Sequence, residues 1–259
     1  MQNKRLAVAG NGYLANIVVD AYRQGLLEGY ELTGILKRSD RQEGTEVPGC
    51  KACHSLEELL ELKPDYVVEA ASVQLVKDIA IPVLESGANL VVLSIGAFAD
   101  QEFYERVQKT ARANDTKVHI ASGAIGGFDV LRTVALMGKV TSGIETRKGP
   151  GSLRGTPVFE DHLMTDTEET HVFSGNAREA IGLFPTKVNV AVAAALATAG
   201  VENTSVNIHS IPGMVGDDHK ITAEIEGVKA VVDIYSSTSA IAGWSVVALL
   251  RNLVSPIMF

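Results

Sequence analysis

The sequence predicts an α/β protein of two domains, a doubly wound parallel sheet followed by a second, α+β domain. Two observations carry that expectation. Across residues 1–122, short apolar runs alternate with helix-periodic segments, the pattern of a parallel sheet covered on both faces through right-handed crossovers. Beyond residue 122 the texture changes: helices interleave with strand-like runs, and two of those runs meet at Gly227 as an antiparallel hairpin would.

The first element is the apolar run 5–9, which leads directly into Gly10-Asn-Gly-Tyr-Leu-Ala15 and then into a helix with apolar residues at Ile17, Val18, Ala21 and Tyr22. In that order each small residue has a physical task. Gly10 permits a tight turn, Gly12 lets backbone N–H groups approach a pyrophosphate, and Ala15 lets the helix pack close to the strand. The helix N-terminus adds unpaired donors and a positive dipole end. This is a Rossmann-type dinucleotide-binding arrangement, with contacts expected at Gly10, Gly12, Tyr13 and Leu14.

Residues 31–36 read as a second strand, and Ser55 with Glu58 as a capping box that opens a short helix to Leu62. A third strand over 65–70 precedes a helix over 73–85 that Gly87 closes. A strand at 89–94, an amphipathic helix at 100–113 and a strand at 117–121 complete the first sheet. The segments 69–72 and 94–97 then fall at the carboxyl edge, where open α/β sheets bind ligands, which makes Ala71 and Ser72 candidate cofactor contacts.

In the second domain a glycine turn at 123–127 enters a helix ending at Met137, and strands are expected at 143–148, 204–211, 219–226 and 228–235. Helices are expected at 177–184 and 188–199. The second of these is rich in alanine and so suited to close packing inside the domain or against a second subunit of a homodimer. The apolar helix at 239–253 is too short to span a bilayer and is expected to pack back onto the first domain. The domains expected are therefore 1–122 with 240–259, and 123–239.

Composition narrows the function. A net charge of −8 over 259 residues opposes sequence-independent binding to nucleic acid. No run is long enough for a membrane span and no signal-peptide core is present, so a cytoplasmic protein is expected. The two cysteines lie in Cys50-Lys-Ala-Cys-His54, which matches a haem-attachment pattern. Nothing directs the export that such attachment requires, and the pair supplies at most three zinc ligands. No metal is expected, and the cysteines read as plain loop residues.

At the end of the second strand an acidic residue normally meets a ribose 2′-hydroxyl. Lys37 and Arg38 stand there instead, with Arg41 near, and their charge favours the 2′-phosphate of NADP. Asp40 leaves NAD open as well. The glycine turn 123–127 sits at the domain junction, the usual place for a substrate crevice. Thr146-Arg-Lys148 and Ser152-Leu-Arg-Gly-Thr156 gather cations and hydroxyls suited to a carboxylate substrate. Six histidines are present, and composition does not choose among them.

Taken together, these motifs resemble the L-aspartate dehydrogenase family. The matching stretches are Gly10 to Ala15, Val68-Glu-Ala-Ala-Ser72, Ser94-Ile-Gly-Ala97, Ser122-Gly-Ala-Ile-Gly-Gly-Phe-Asp129, Thr146-Arg-Lys148, Ser152-Leu-Arg-Gly-Thr-Pro157, Ala177-Arg-Glu-Ala180, Phe184-Pro185 and Val188-Asn-Val190. The resemblance implies cofactor contacts at Ala124 and Asn189. It also implies a catalytic histidine about thirty residues after that asparagine, where His219 fits by position and flanks and His209 comes too early. Two departures stand out: Ser236-Ser-Thr-Ser239 replaces the family's Asn-Pro-Lys-Thr-Ser, and Lys187 replaces an asparagine.

The chemistry implied is NAD(P)-dependent oxidative deamination of a small dicarboxylic amino acid, aspartate first, with a pathway to pyridine nucleotides as its setting. His219 would act as acid/base, with Asp217 or Asp218 orienting its ring. Arg147, Lys148 and Lys187 are the candidates for neutralising substrate carboxylates. A reductase of another oxo or imino acid and a silent NADP-binding regulator are the alternatives, because fold alone does not fix function.

Overall fold

The computed structural model describes residues 3–37, 47–184 and 188–258. The chain forms two compact units, Met1–Gly123 with Ala240–Phe259, and Ala124–Ser239. The expected Arg38, Asp40, Arg41 and Lys187 sites lie outside the described residues.

The first unit runs β1 (Lys4–Ala9), α1 (Tyr13–Arg23), β2 (Tyr30–Leu36), β3 (Lys51–Cys53), α2 (Leu56–Glu61), β4 (Tyr66–Glu69), α3 (Val73–Glu85), β5 (Asn89–Val92), α4 (Gln101–Ala113) and β6 (Val118–Ile120). All strands pair in parallel in the order β3-β2-β1-β4-β5-β6, so the order reverses between β1 and β4. Ligands of open sheets bind at such a switch point. The strands read as continuous apolar runs because both faces are covered: Leu6 through Ala9 and Leu90 through Val92 are fully buried.

One expectation fails in this unit. The cysteine segment is not plain loop, because Lys51–Cys53 pairs with β2 as a short edge strand. Three residues are too few for periodicity to register. The capping of α2 is also shifted: Ser55 Oγ accepts from Glu58 N at 3.3 Å, but the Glu58 carboxylate accepts from His54 N at 2.9 Å rather than from the cap residue.

The second unit holds α5 (Phe128–Met137), β7 (Thr141–Lys148), β8 (Thr170–Asn176), α6 (Ala177–Leu183), α7 (Asn189–Ala197), β9 (Thr204–Ser210), β10 (Asp217–Ile225) and β11 (Val228–Ser236). The sheet order is β11-β10-β7-β9-β8, antiparallel except where β7 runs parallel to β9. Its strands alternate in burial, with Ser142, Ile144, Thr146 and Lys148 of β7 turned inward. The alanine-rich α7 is buried on nearly every side and packs against α5, α6 and β7. Gly227, at φ +78°, makes the β10–β11 turn as expected. The sequence pattern missed β8, a polar edge strand whose register shifts between His171 and Phe173.

The last helix, α8 (Ala240–Val254), completes the first unit: Val246, Val247 and Leu250 join one core with Leu6, Val8, Val18 and Val19. Tyr30 OH also donates to Leu250 O at 2.8 Å. At Gly243 a Cβ would lie 2.8 Å from Ile17 Cδ1 and 3.0 Å from Ile17 Cβ, so α8 packs tightly on α1 there. Gly243→Ala is therefore expected to destabilise the first unit by about 1–3 kcal/mol through overpacking. Urea unfolding measures this, and unchanged stability would show that α1 and α8 part without cost.

Candidate active site

Each unit contributes its own cluster of chemically distinctive groups. In the first unit the cluster begins at Gly10, whose φ is +132° and whose absent Cβ would stand 2.9 Å from Ala70 O and 3.2 Å from Ala71 Cβ. A side chain is excluded there by backbone, not by a movable neighbour. Gly12 is the N-cap of α1 with no side-chain cap, and among the described residues nothing lies within 4 Å of where its Cβ would be. The N-terminus of α1, without a side-chain cap, presents a positive dipole end. These features fit a dinucleotide pyrophosphate. Ala15 is fully buried as expected, Leu14 is half-buried, and Tyr13 is exposed.

A residue that sequence reasoning had passed over organises the neighbouring loops. Glu69, fully buried at the end of β4, accepts from Ala71 N at 2.7 Å, Ser72 N at 2.8 Å, Ser94 N at 3.0 Å and Ser94 Oγ at 3.0 Å. Burial pushes its carboxyl above the ordinary range, and the bonds from Ala71, Ser94 and Ser72 oppose that shift. Ala71 and Ser72 therefore direct their amide hydrogens to Glu69. The Ser72 hydroxyl accepts from Leu75 N at 3.1 Å and caps α3. Lys37 follows β2 directly, and its amide donates to Cys53 O at 2.9 Å. A buried Glu between apolar residues at a strand end was the available signal for this tether.

In the second unit the register of β7 and β10 sets Lys148 opposite Asp217 and Thr146 opposite His219. All four share one face. Lys148 Nζ donates to Asp217 Oδ2 at 2.7 Å, and the Thr146 hydroxyl and His219 Nδ1 are 3.0 Å apart. His219 is 3% exposed, Thr146 2% and Lys148 5%. Burial and then the Lys148 charge bring the His219 ring down to about 4, against an opposing pull from Asp217. His219 is thus neutral at ordinary pH.

The two-residue period separates what the sequence had grouped. Arg147 faces the opposite side of the sheet from Lys148 and His219 and is engaged there by Glu145 at 2.7 Å and Glu169 at 3.8 Å. Asp218 shares that other side, raised by burial and the Asp233 carboxylate, so neither it nor Asp217 holds the His219 ring. His209 is also there, 2.7 Å from Glu169 Oε1. The hydroxyls of Ser152 and Thr156 close local turns on Gly149 O at 2.8 Å and Leu153 O at 2.6 Å. Ala124 lies half-buried in the glycine turn before α5, and Asn189 is half-buried as the first residue of α7. Among the described residues no cluster could hold a metal, and no helix is long and apolar enough to cross a membrane.

Comparison with known proteins agrees with both units. Residues 10–121 match the family model described as homoserine dehydrogenase, NAD binding domain, and residues 129–253 match that described as aspartate dehydrogenase, C-terminal. Fold and site thus define a dehydrogenase built on a pyridine-nucleotide-binding domain. The L-aspartate dehydrogenase of Methanosarcina barkeri is 32% identical over 268 residues, covering 98% of each chain. That of Acinetobacter baylyi is 35% identical and covers 75% of this chain and 77% of its own. The crystal structure of aspartate dehydrogenase from Thermotoga maritima superposes with a TM-score of 0.80 at 28% identity over 100% of both chains. The chain belongs to the L-aspartate dehydrogenase family. Dihydrodipicolinate reductase from Paenisporosarcina, at TM-score 0.60 and 14% identity over 97% of this chain and 95% of its own, shares the fold.

The depressed His219 value has a consequence for stability. Between pH 6.5 and about 4 the folded protein binds less proton than the unfolded chain. The contribution of neutral His219 is therefore complete above pH 6.5, declines below it and is lost at about pH 4. Urea unfolding of wild type and His219→Gln is expected to show wild type losing up to about 3 kcal/mol more on acidification. Equal losses would contradict a buried neutral ring.

Proposed function

We propose that the chain oxidises L-aspartate with NADP or NAD to iminoaspartate, which water converts to oxaloacetate and ammonia, and that the reaction runs in both directions. The observation that carries this reading is the buried His219 beside Lys148 and Asp217 on one sheet face of the unit that matches the aspartate dehydrogenase C-terminal family. Bound at Gly10, Gly12 and the uncapped end of α1, the nicotinamide cofactor supplies the hydride acceptor.

The protein's own residues do the rest. Lys148, already matched to a carboxylate at 2.7 Å, receives a substrate carboxylate in exchange for Asp217. Lys187 is a second cation for the substrate by sequence position, whereas Arg147 is held by acids on the other side of the sheet and takes no part. A neutral imidazole supports either of two tasks at the reacting centre: it accepts a proton from the ammonium, or it donates a hydrogen bond to oxygen in the reverse direction. Ala124 and Asn189 are taken as cofactor contacts from the family pattern. Lys37 and Arg38 favour NADP over NAD. A cytoplasmic homodimer completes the proposal.

An activity matrix of amino acids against NADP and NAD tests the reading, with aspartate and NADP expected to give the highest kcat/KM. Turnover of another oxo or imino acid in place of aspartate would overturn the substrate assignment. His219→Ala is expected to lower kcat by about 10²–10⁴ while cofactor binding, followed by nucleotide fluorescence, is retained. Near-normal turnover would remove His219 from the chemistry.

A further inference from the structure

The hydroxyl of Thr146 has one hydrogen-bond partner among the described residues, His219 Nδ1 at 3.0 Å. The residue is almost fully buried, so its proton has no solvent to turn to. A hydroxyl can donate to an unprotonated ring nitrogen or accept from a protonated one. If it accepted, its own hydrogen would lie buried with no acceptor among the described residues, a costly arrangement. If it donates, both groups are satisfied. The surroundings point the same way. Nδ1 meets a neutral hydroxyl and no carboxylate, Asp217 is engaged by Lys148, and the Lys148 ammonium on the neighbouring pair opposes an imidazolium.

We propose that Thr146 is a positioning residue that locks His219 as the Nε2–H tautomer, so that the ring meets the substrate as a hydrogen-bond donor and not as a proton acceptor. This rests on the dehydrogenase reading above and selects between the two tasks open to the imidazole. A neutral N–H donor suits an oxygen partner. In reductive amination it polarises the oxo group as ammonia adds: the C–N bond forms as the C=O π bond opens, the Nε2–H bonds to the oxygen that gains negative charge without giving up its proton, and the two protons with which that oxygen leaves as water come from the ammonia nitrogen by way of solvent. Removal of the ammonium proton in the oxidative direction falls to solvent or to another group.

Nitrogen-15 NMR of the histidine rings in the whole protein at neutral pH tests the lock, with His219→Ala identifying the resonances. Wild type is expected to show His219 Nδ1 as the unprotonated nitrogen and Nε2 as the protonated one. The reverse pattern would overturn the proposal. Thr146→Val is expected to give a tautomer mixture and a kcat about tenfold lower, with KM for the nucleotide unchanged, in line with loss of one hydrogen bond. Thr146→Ser, which keeps the hydroxyl, is expected to restore both the spectrum and most of kcat. A Thr146→Val enzyme with wild-type tautomer and kcat would also overturn it. Absence of aspartate turnover in wild type would sink the functional reading alone, since the NMR pattern is read without substrate.

Discussion

The candidate chemistry of this chain depends on the register between β7 and β10. Antiparallel pairing sets Thr146 against His219 and Lys148 against Asp217, and the pleat then turns all four toward the helices. A shift of one residue in β7 would instead turn Glu145 and Arg147 inward and carry Lys148 out to solvent. The apolar residues that fix the register continue along the same faces, Ile144 opposite Ile221, while Ser142 opposite Ala223 carries the inward face to the other end. Packing and chemistry are therefore specified together. The sheet cannot bury its apolar rows without also delivering its polar ones.

The first unit solves a related problem with one carboxylate. Loops at the carboxyl edge of a parallel sheet have backbone donors that no ladder satisfies. Glu69 collects three of these donors and a hydroxyl from the ends of β4 and β5, which fixes the spacing of two loops next to the glycine turn. Gly10 then lies against Ala70 and Ala71, so the loop that Glu69 tethers also forms one wall of the turn.

What could be read in the sequence was whatever is local. The glycine turn, the 73–85 helix and the Gly227 hairpin all involve residues within a few positions of each other, and each stands where it was expected. The apolar residues of α8 share one core with those of β1 and α1. What escaped was short or distant. β3 has three residues, and β8 is polar with a register shift. Thr146 and His219 are 73 positions apart, and only a known register connects them. Reading Thr146, Arg147 and Lys148 as one cluster overlooked the alternation that sends Arg147 to the other side. Asp217 and Asp218, proposed to hold the imidazole, yield that place to a hydroxyl on another strand.

The placement of α8 has a further consequence, for synthesis of the chain. Leu6, Val8, Val18 and Val19 share a core with Val246, Val247 and Leu250, yet more than two hundred residues of translation separate the two groups. The amino-terminal sheet therefore emerges from the ribosome with part of its apolar surface uncovered, while Ala124–Ser239 is made as an uninterrupted segment. The inserted unit is free to fold first. The first unit is complete only once α8 has been made.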